Sequence, residues 1–132
     1  VTIVLDTSAI IALLFREPAA DLLAEAVGAA ASRAISAASV VEAGMVAQGR
    51  VGDSGERELD LLLHELAIEV VPFTAAHAEI ARSAFRRYGK GRHPAKLNLG
   101  DCFAYALASA LGRPLLFVGD DFTKTDIPAA VY

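Results

Sequence analysis

Cysteine occurs once in these 132 residues, tryptophan not at all, and the three histidines, His64, His77 and His93, stand far apart. The single thiol, Cys102, excludes an intrachain disulfide and a thiolate metal cluster and fits a reducing compartment. Its expected role is core packing, because free cysteine behaves as a small hydrophobe. The histidines show no zinc-ligand spacing and are expected at the surface or partly buried. No apolar run reaches the length of about eighteen residues that a membrane span needs. The chain does not open on the basic region of a secretory leader, so a cytoplasmic protein is expected. Internal repeats and low-complexity tracts are also missing.

What remains fits one domain over residues 1–132, a length that buries roughly two-thirds of the unfolded surface without staples. The hydrophobic fraction is 55% and the mean hydropathy +0.44. Both exceed the usual soluble composition, which leaves apolar surface for a partner chain, as in a homodimer. Net charge is -4, which argues against an overall positive field for nucleic acid. The distribution reverses that inference. Arg82, Arg86, Arg87, Lys90, Arg92 and Lys96 fall close together, and no acid lies between Glu79 and Asp101.

The stretch from Val1 to Leu5 is apolar on both faces, the pattern of a central parallel strand covered by helices, and it runs straight into Asp6. A helix follows from Ala9 to Leu14, with Thr7 and Ser8 expected to cap it. Asp6 then sits at the strand's carboxyl end, where open α/β sheets bind ligands. Capping explains an aspartate there equally well.

Further along, Pro18 marks a helix start, and Arg33-Ala34-Ile35 reads as a short strand. The apolar helix through Ala47 carries one charge, Glu42. Ser39 and Glu42 have capping-box spacing, but Ser36 is an equally good cap and would place Glu42 well inside the helix. A carboxylate buried there needs a cation or hydrogen bonds. Gly49 to Gly55 reads as a loop without a phosphate-loop ending, Glu56 to Leu66 as an amphipathic helix, Ile68 to Val71 as a strand, and Thr74 as the cap of a helix to about Arg87.

Tyr88 to Lys96 has loop punctuation and basic charge, read either as a solvated face or as a phosphate-binding segment. It leads to Asn98 and Asp101, the expected cap and first-turn acid of a helix over Leu99 to Leu111. Leu115 to Val118 repeats the opening pattern, a fully apolar strand ending at Gly119-Asp120-Asp121. Asp126 fits a turn.

Each acid has a local explanation, yet together they suggest one site. Neighbouring unit charges repel by about 4 kcal/mol at 4 Å with an effective dielectric near 20, and a divalent cation removes that penalty. Oxygen donors without histidine or cysteine favour Mg²⁺ or Mn²⁺, whose further ligands are water and phosphate oxygens. Phosphodiester hydrolysis is the chemistry such a site supports.

Val4-Leu5-Asp6-Thr7-Ser8-Ala9, Ser39-Val40-Val41-Glu42-Ala43, Tyr88-Gly89-Lys90-Gly91 with Leu97 to Cys102, and Gly119-Asp120-Asp121-Phe122 with Thr125-Asp126-Ile127 resemble the PIN-domain ribonucleases. More closely, the chain resembles the VapC toxins of VapBC toxin-antitoxin pairs. The resemblance implies an α/β fold, a three-layer α/β/α sandwich around a central parallel sheet. It also implies a Mg²⁺- or Mn²⁺-dependent endoribonuclease toxin acting on RNA and neutralised by a VapB antitoxin. Carried over by motif, Asp6, Glu42, Asp101 and Asp121 are the catalytic acids, and Asp6, Asp101, Asp120 and Asp121 the candidate metal ligands. Asp121 is preferred over Asp120 because it directly precedes Phe122. Thr7, Ser8 and Asn98 are expected to support the acids, and Arg86, Arg87, Lys90, Arg92 and Lys96 to hold RNA phosphates.

Two rivals start from the same residues. A metal-dependent phosphatase of the haloacid dehalogenase type would carry a second acid where Ser8 stands. A protein-binding module would use every acid as a cap.

Overall fold

A computed structural model describes residues 1–132. The opening apolar run forms β1 (Thr2–Leu5), and Arg33-Ala34-Ile35 lies within β2 (Ser32–Ser36). With β3 (Ile68–Val71) and β4 (Leu115–Leu116) they make an all-parallel sheet in the order β3-β2-β1-β4. The chain steps outward from β1 to β3 and then returns to the free side of β1. Strand order therefore reverses between β1 and β4, which opens a crevice at their carboxyl ends.

Successive strand residues face opposite ways, and here they feed two cores. Ile3, Leu5, Ile35, Ile68 and Leu116 pack with α1 (Thr7–Leu14), α2 (Ala20–Ala29), α3 (Ala37–Val51) and α4 (Asp53–Glu65). Val4, Ala34 and Leu115 pack with α5 (Ala75–Tyr88) and α6 (Leu99–Leu111). The sheet is thus the middle layer of the expected sandwich. Val4, Leu5, Ile10, Ile35 and Leu107 are fully buried, each side chain contributing about 1.5–3 kcal/mol on leaving water. No helix is long and apolar enough to cross a membrane.

Three expectations need correction. The segment from Gly49 to Gly55 is mostly helical: α3 runs to Val51, α4 starts at Asp53, and only Gly52 separates them, with φ 71° and ψ −153°. Glycine alone adopts that backbone freely. Gly55 lets α4 rest on α3, since a Cβ there would lie 2.6 Å from the Ala47 carbonyl oxygen. β4 stops at Leu116 because the Val118 N–H leaves the ladder for the Ser8 hydroxyl and Gly119 turns at φ 99°. The basic loop is exposed at Lys90, Arg92 and Lys96, as expected, and is pinned at its base. Lys90 N–H bonds the Leu97 carbonyl at 2.9 Å, Leu97 N–H bonds the Tyr88 carbonyl at 3.0 Å, and Ala95 and Leu97 are buried in the core. His77, expected at or near the surface, is buried against Phe73. Cys102 is buried as expected, which pushes its thiol up to about 11.

Candidate active site

Topology brings the acids to one edge of the sheet. β1 delivers Asp6 to its carboxyl end, and α3, entering from the end of β2, carries Glu42 in its second turn. α6 runs antiparallel to the strands, so its first turn, with Asp101, lies at the same edge. The loop after β4 brings Asp121 there.

Asp6 is itself the cap of α1. Its φ of −80° and ψ of 158° place Oδ2 over the helix start, where it accepts from the Ser8 N–H at 3.0 Å and the Ser8 hydroxyl at 2.6 Å. This corrects the assignment of the cap to Thr7 and Ser8. Capping and a site role are not alternatives here, because both Ser8 contacts fall on Oδ2 and leave Oδ1 outside that network. The Ser8 hydroxyl also accepts the Val118 N–H at 2.9 Å, tying the acid to the loop that carries Asp121. Thr7 points elsewhere, its hydroxyl donating to the Ser39 carbonyl at 3.4 Å.

Ser36 caps α3, accepting from the Ala38 N–H at 3.2 Å, and no Ser39–Glu42 capping box forms. Glu42 is half-buried rather than enclosed in apolar helix. Its carboxylate makes no hydrogen bond or ion pair with the protein and lies against Gly100 of α6. Asn98 and Asp101 form a reciprocal capping box. Asn98 Oδ1 accepts the Asp101 N–H at 2.9 Å, and Asp101 Oδ2 accepts the Asn98 N–H at 3.0 Å. Asp101 Oδ1 accepts nothing from the protein.

The electrostatics register this proximity. Burial raises the Asp6 carboxyl from 3.8 to about 6, with a contribution from the Glu42 charge that outweighs part of what the Ser8 hydrogen bonds lower. Burial raises Asp101 to about 7, against the Asn98 hydrogen bond and together with the charges of Asp6, Asp121 and Glu42. Displaced carboxyl groups in one crevice are a mark of functional sites. Asp121 belongs to this charge cluster. Asp120 precedes the 3-10 turn Asp121–Lys124, makes no side-chain cap there, and is not among the charges acting on Asp101.

The donors fit a hard divalent cation in kind, being carboxylate oxygens without histidine or thiolate. As the side chains stand, no three of them are close enough to hold one. Holding a cation would require these carboxylates to come closer together than they stand here.

The basic residues divide. Arg86, Lys90, Arg92 and Lys96 are exposed and form no ion pair, and the Arg92 guanidinium lies 5.7 Å from the Phe85 ring centroid. Arg87 is engaged. Its guanidinium meets Asp126 at 3.3 Å, the Tyr88 hydroxyl at 2.8 Å and the Tyr105 hydroxyl at 3.4 Å. Tyr105 donates to Asp126 Oδ1 at 2.5 Å, which lowers that carboxyl, while burial first and this bond second push the phenol well up. Arg87 and Asp126 thus tie the last residues to α5 and α6, outside the acid cluster.

Gly100, missed in the sequence, has a recognisable signal: a glycine inside a helix with no turn to make. The Ser8–Val118 bond, across 110 residues, had none. A band of exposed apolar side chains, Val41, Met45 and Leu99, flanks Glu42 and Asn98.

Comparison with known proteins agrees in sequence and shape. A family model described as PIN domain matches residues 3–128. "Ribonuclease VapC" of Mycolicibacterium smegmatis is 52% identical over 126 residues, covering 96% of this chain and 98% of that one. The crystal structure of Mycobacterium tuberculosis VapC20, a sarcin-ricin loop cleaving toxin, superposes with a TM-score of 0.78 at 16% identity, covering 95% of each chain. A chain of a toxin-antitoxin complex from Klebsiella pneumoniae gives a TM-score of 0.71 at 20% identity, covering 93% of this chain and 92% of that one.

Proposed function

The chain belongs to the PIN-domain family, and from that premise we propose that residues 1–132 form one endoribonuclease toxin domain of the VapC kind. Its substrate is RNA, its cofactor Mg²⁺ or Mn²⁺, and its partner a VapB-type antitoxin. What supports the reading is the placement of Asp6 at the carboxyl end of β1 and Asp101 at the head of α6, with the charges of Asp6, Glu42 and Asp121 acting on Asp101.

Asp6, Asp101 and Asp121 would hold the cation, with Glu42 completing the acidic wall and Asp120 a lesser candidate. The bound ion supplies Lewis-acid activation of water and neutralises charge on the leaving oxygen. The protein supplies placement. Ser8 fixes Asp6 Oδ2 and Asn98 fixes Asp101 Oδ2, so two carboxylates enter the site already oriented by their caps. Thr7 and Asn98 act from behind, on helix starts. Arg86, Lys90, Arg92 and Lys96 hold the RNA backbone next to the acids, a local positive field on a net acidic chain. Arg87 braces that segment through Asp126. The Val41, Met45 and Leu99 band, each more than 60% exposed, supports a protein partner beside the acids; the neighbour solved as a toxin-antitoxin complex supports an antitoxin as that partner. The same apolar surface is open to a second copy, as in a homodimer.

Purified, antitoxin-free protein should cleave RNA with Mg²⁺ or Mn²⁺ and lose cleavage in EDTA. Folded Asp6→Asn, Glu42→Gln and Asp101→Asn should each fall by at least about tenfold, the low end for removing a group on a metal. Equal cleavage by all four proteins would refute the metal-site reading. Tight partner binding without cleavage would favour the binding module.

A further inference from the structure

Gly100 is the second residue of α6, and its backbone lies outside the left-handed region that calls for glycine. Alanine is the better helix former, so helix propensity does not explain the glycine. The explanation lies across the contact between α3 and α6. A Cβ built on Gly100 would overlap the carboxyl carbon and both oxygens of Glu42. The other tight glycines answer to different neighbours: Gly55 lies on the Ala47 carbonyl, and Gly89 on Phe85. Gly44 meets a carboxylate less closely, its Cβ position lying 3.3 Å from Glu56 Oε1, whereas a Cβ on Gly100 would fall inside the Glu42 carboxylate.

Glu42 has no polar partner in the protein to fix its direction, yet its charge acts on both Asp6 and Asp101. Shape does what hydrogen bonds do for the other two acids. We infer that Gly100 is a positioning residue: the missing side chain forms the seat that keeps the Glu42 carboxylate within reach of Asp6 and Asp101. Its consequence for catalysis rests on the metal-site reading above, whereas the seat itself does not. A Cβ at this place would swing the carboxylate away while leaving all four acids in the sequence.

The test is a cycle of wild type, Gly100→Ala, Glu42→Ala and the double variant, with Glu42→Asp/Gly100→Ala as rescue. Urea midpoints, Mn²⁺ affinity by calorimetry on the metal alone, and RNA cleavage are read for each. Gly100→Ala should lower Mn²⁺ affinity and cleavage by about 10–100-fold, the range for groups just outside a metal's own ligands, while the urea midpoint stays equal or rises, because the displaced carboxylate is a free side-chain end and alanine favours the helix. In the Glu42→Ala background the same change should alter affinity less than about threefold and leave the midpoint equal or higher, since alanine favours the helix. Glu42→Asp, one methylene shorter, should recover at least tenfold of the affinity lost in Gly100→Ala. A glycine needed only by the helix would give neither the rescue nor the background dependence.

Equal losses in both backgrounds, or Gly100→Ala indistinguishable from wild type, overturn the inference. If Gly100→Ala does not fold, the double variant decides: folding like Glu42→Ala supports the seat, and failure to fold overturns it. If wild type neither binds Mn²⁺ nor cleaves RNA, the nuclease reading fails, while crystal structures of wild type and Gly100→Ala still judge the seat: a Glu42 carboxylate that has not moved overturns it.

Discussion

Replacing Asp6 by asparagine should destroy the site and stabilise the metal-free fold at once. Asparagine caps helices about as well as aspartate, and its Oδ1 can still accept from the Ser8 N–H and hydroxyl. What disappears is a buried charge. The carboxyl rises from 3.8 in its ordinary state to about 6 in the fold, with burial the largest cause, which corresponds to about 3 kcal/mol between the ionised and neutral forms. A raised carboxyl favours the fold while protonated. That advantage is whole below about pH 4 and is lost as pH rises through about 6. Asp6→Asn escapes this loss. Urea unfolding in EDTA at pH 8 should therefore find it more stable than wild type by up to about 3 kcal/mol, and near pH 4 the difference should close. Other carboxylates titrate in both proteins and cancel in the comparison. Mg²⁺ should shift the wild-type midpoint upward more than that of Asp6→Asn, because a ligand binding only the native state stabilises it. An Asp6→Asn protein less stable than wild type at pH 8, or a gap that ignores pH, would refute the account of Asp6 as a strained, desolvated charge.

Ser8→Ala removes the donor to Asp6 and the acceptor of the Val118 N–H; it should cost about 1–3 kcal/mol in urea and raise the Asp6 carboxyl further, read by NMR titration. Charge reversal at Arg86, Lys90 and Arg92 should weaken RNA binding and flatten its salt dependence by about 0.7 in log–log slope for each single-strand phosphate that is no longer neutralised. Arg87→Gln should instead lower the melting temperature and leave that slope unchanged, because its guanidinium is held by Asp126. Tyr105→Phe should raise the Asp126 carboxyl toward its ordinary value and destabilise by about 1.5 kcal/mol, the low end for a hydrogen bond to a charged group, because Asp126 is half exposed.

Much of the fold is legible because burial on both faces leaves its mark on composition. The run at Val1 to Leu5 reads as an inner strand and is one, the run at Leu115 to Val118 reads as a buried strand and is one over Leu115 and Leu116, at the edge of the sheet, and Ser36, Thr74 and Asn98 are recognisable as caps because their chemistry is local. The convergence of Asp6, Glu42 and Asp101 is legible through motif order joined to the rule that ligands sit at the carboxyl edge. What escapes is decided by residues distant in sequence. The early stop of β4 depends on Ser8. The junction at Gly52 hides in a glycine-rich stretch because helix ends and loops draw on the same residues. Arg87 looks like its neighbours until Asp126 arrives beside it from the far end of the chain. Asp6 reads as either the cap or a site residue, because nothing in one dimension says that a carboxylate has an oxygen for each.

The position of β4 beside β1 also bears on when the domain becomes dangerous. The first strand is central, but one of its two sheet neighbours and the backbone N–H that grips Ser8 come from residues 115–118. A nascent chain halted after α6 already carries Asp6, Glu42 and Asp101, yet lacks the strand and loop that bring Asp121 to them. Pairings so far apart in sequence close late, because the loop entropy must be met first. On the proposed site, an incomplete copy still emerging from a ribosome would therefore be unarmed, its acids coming together only after nearly the whole domain has been made.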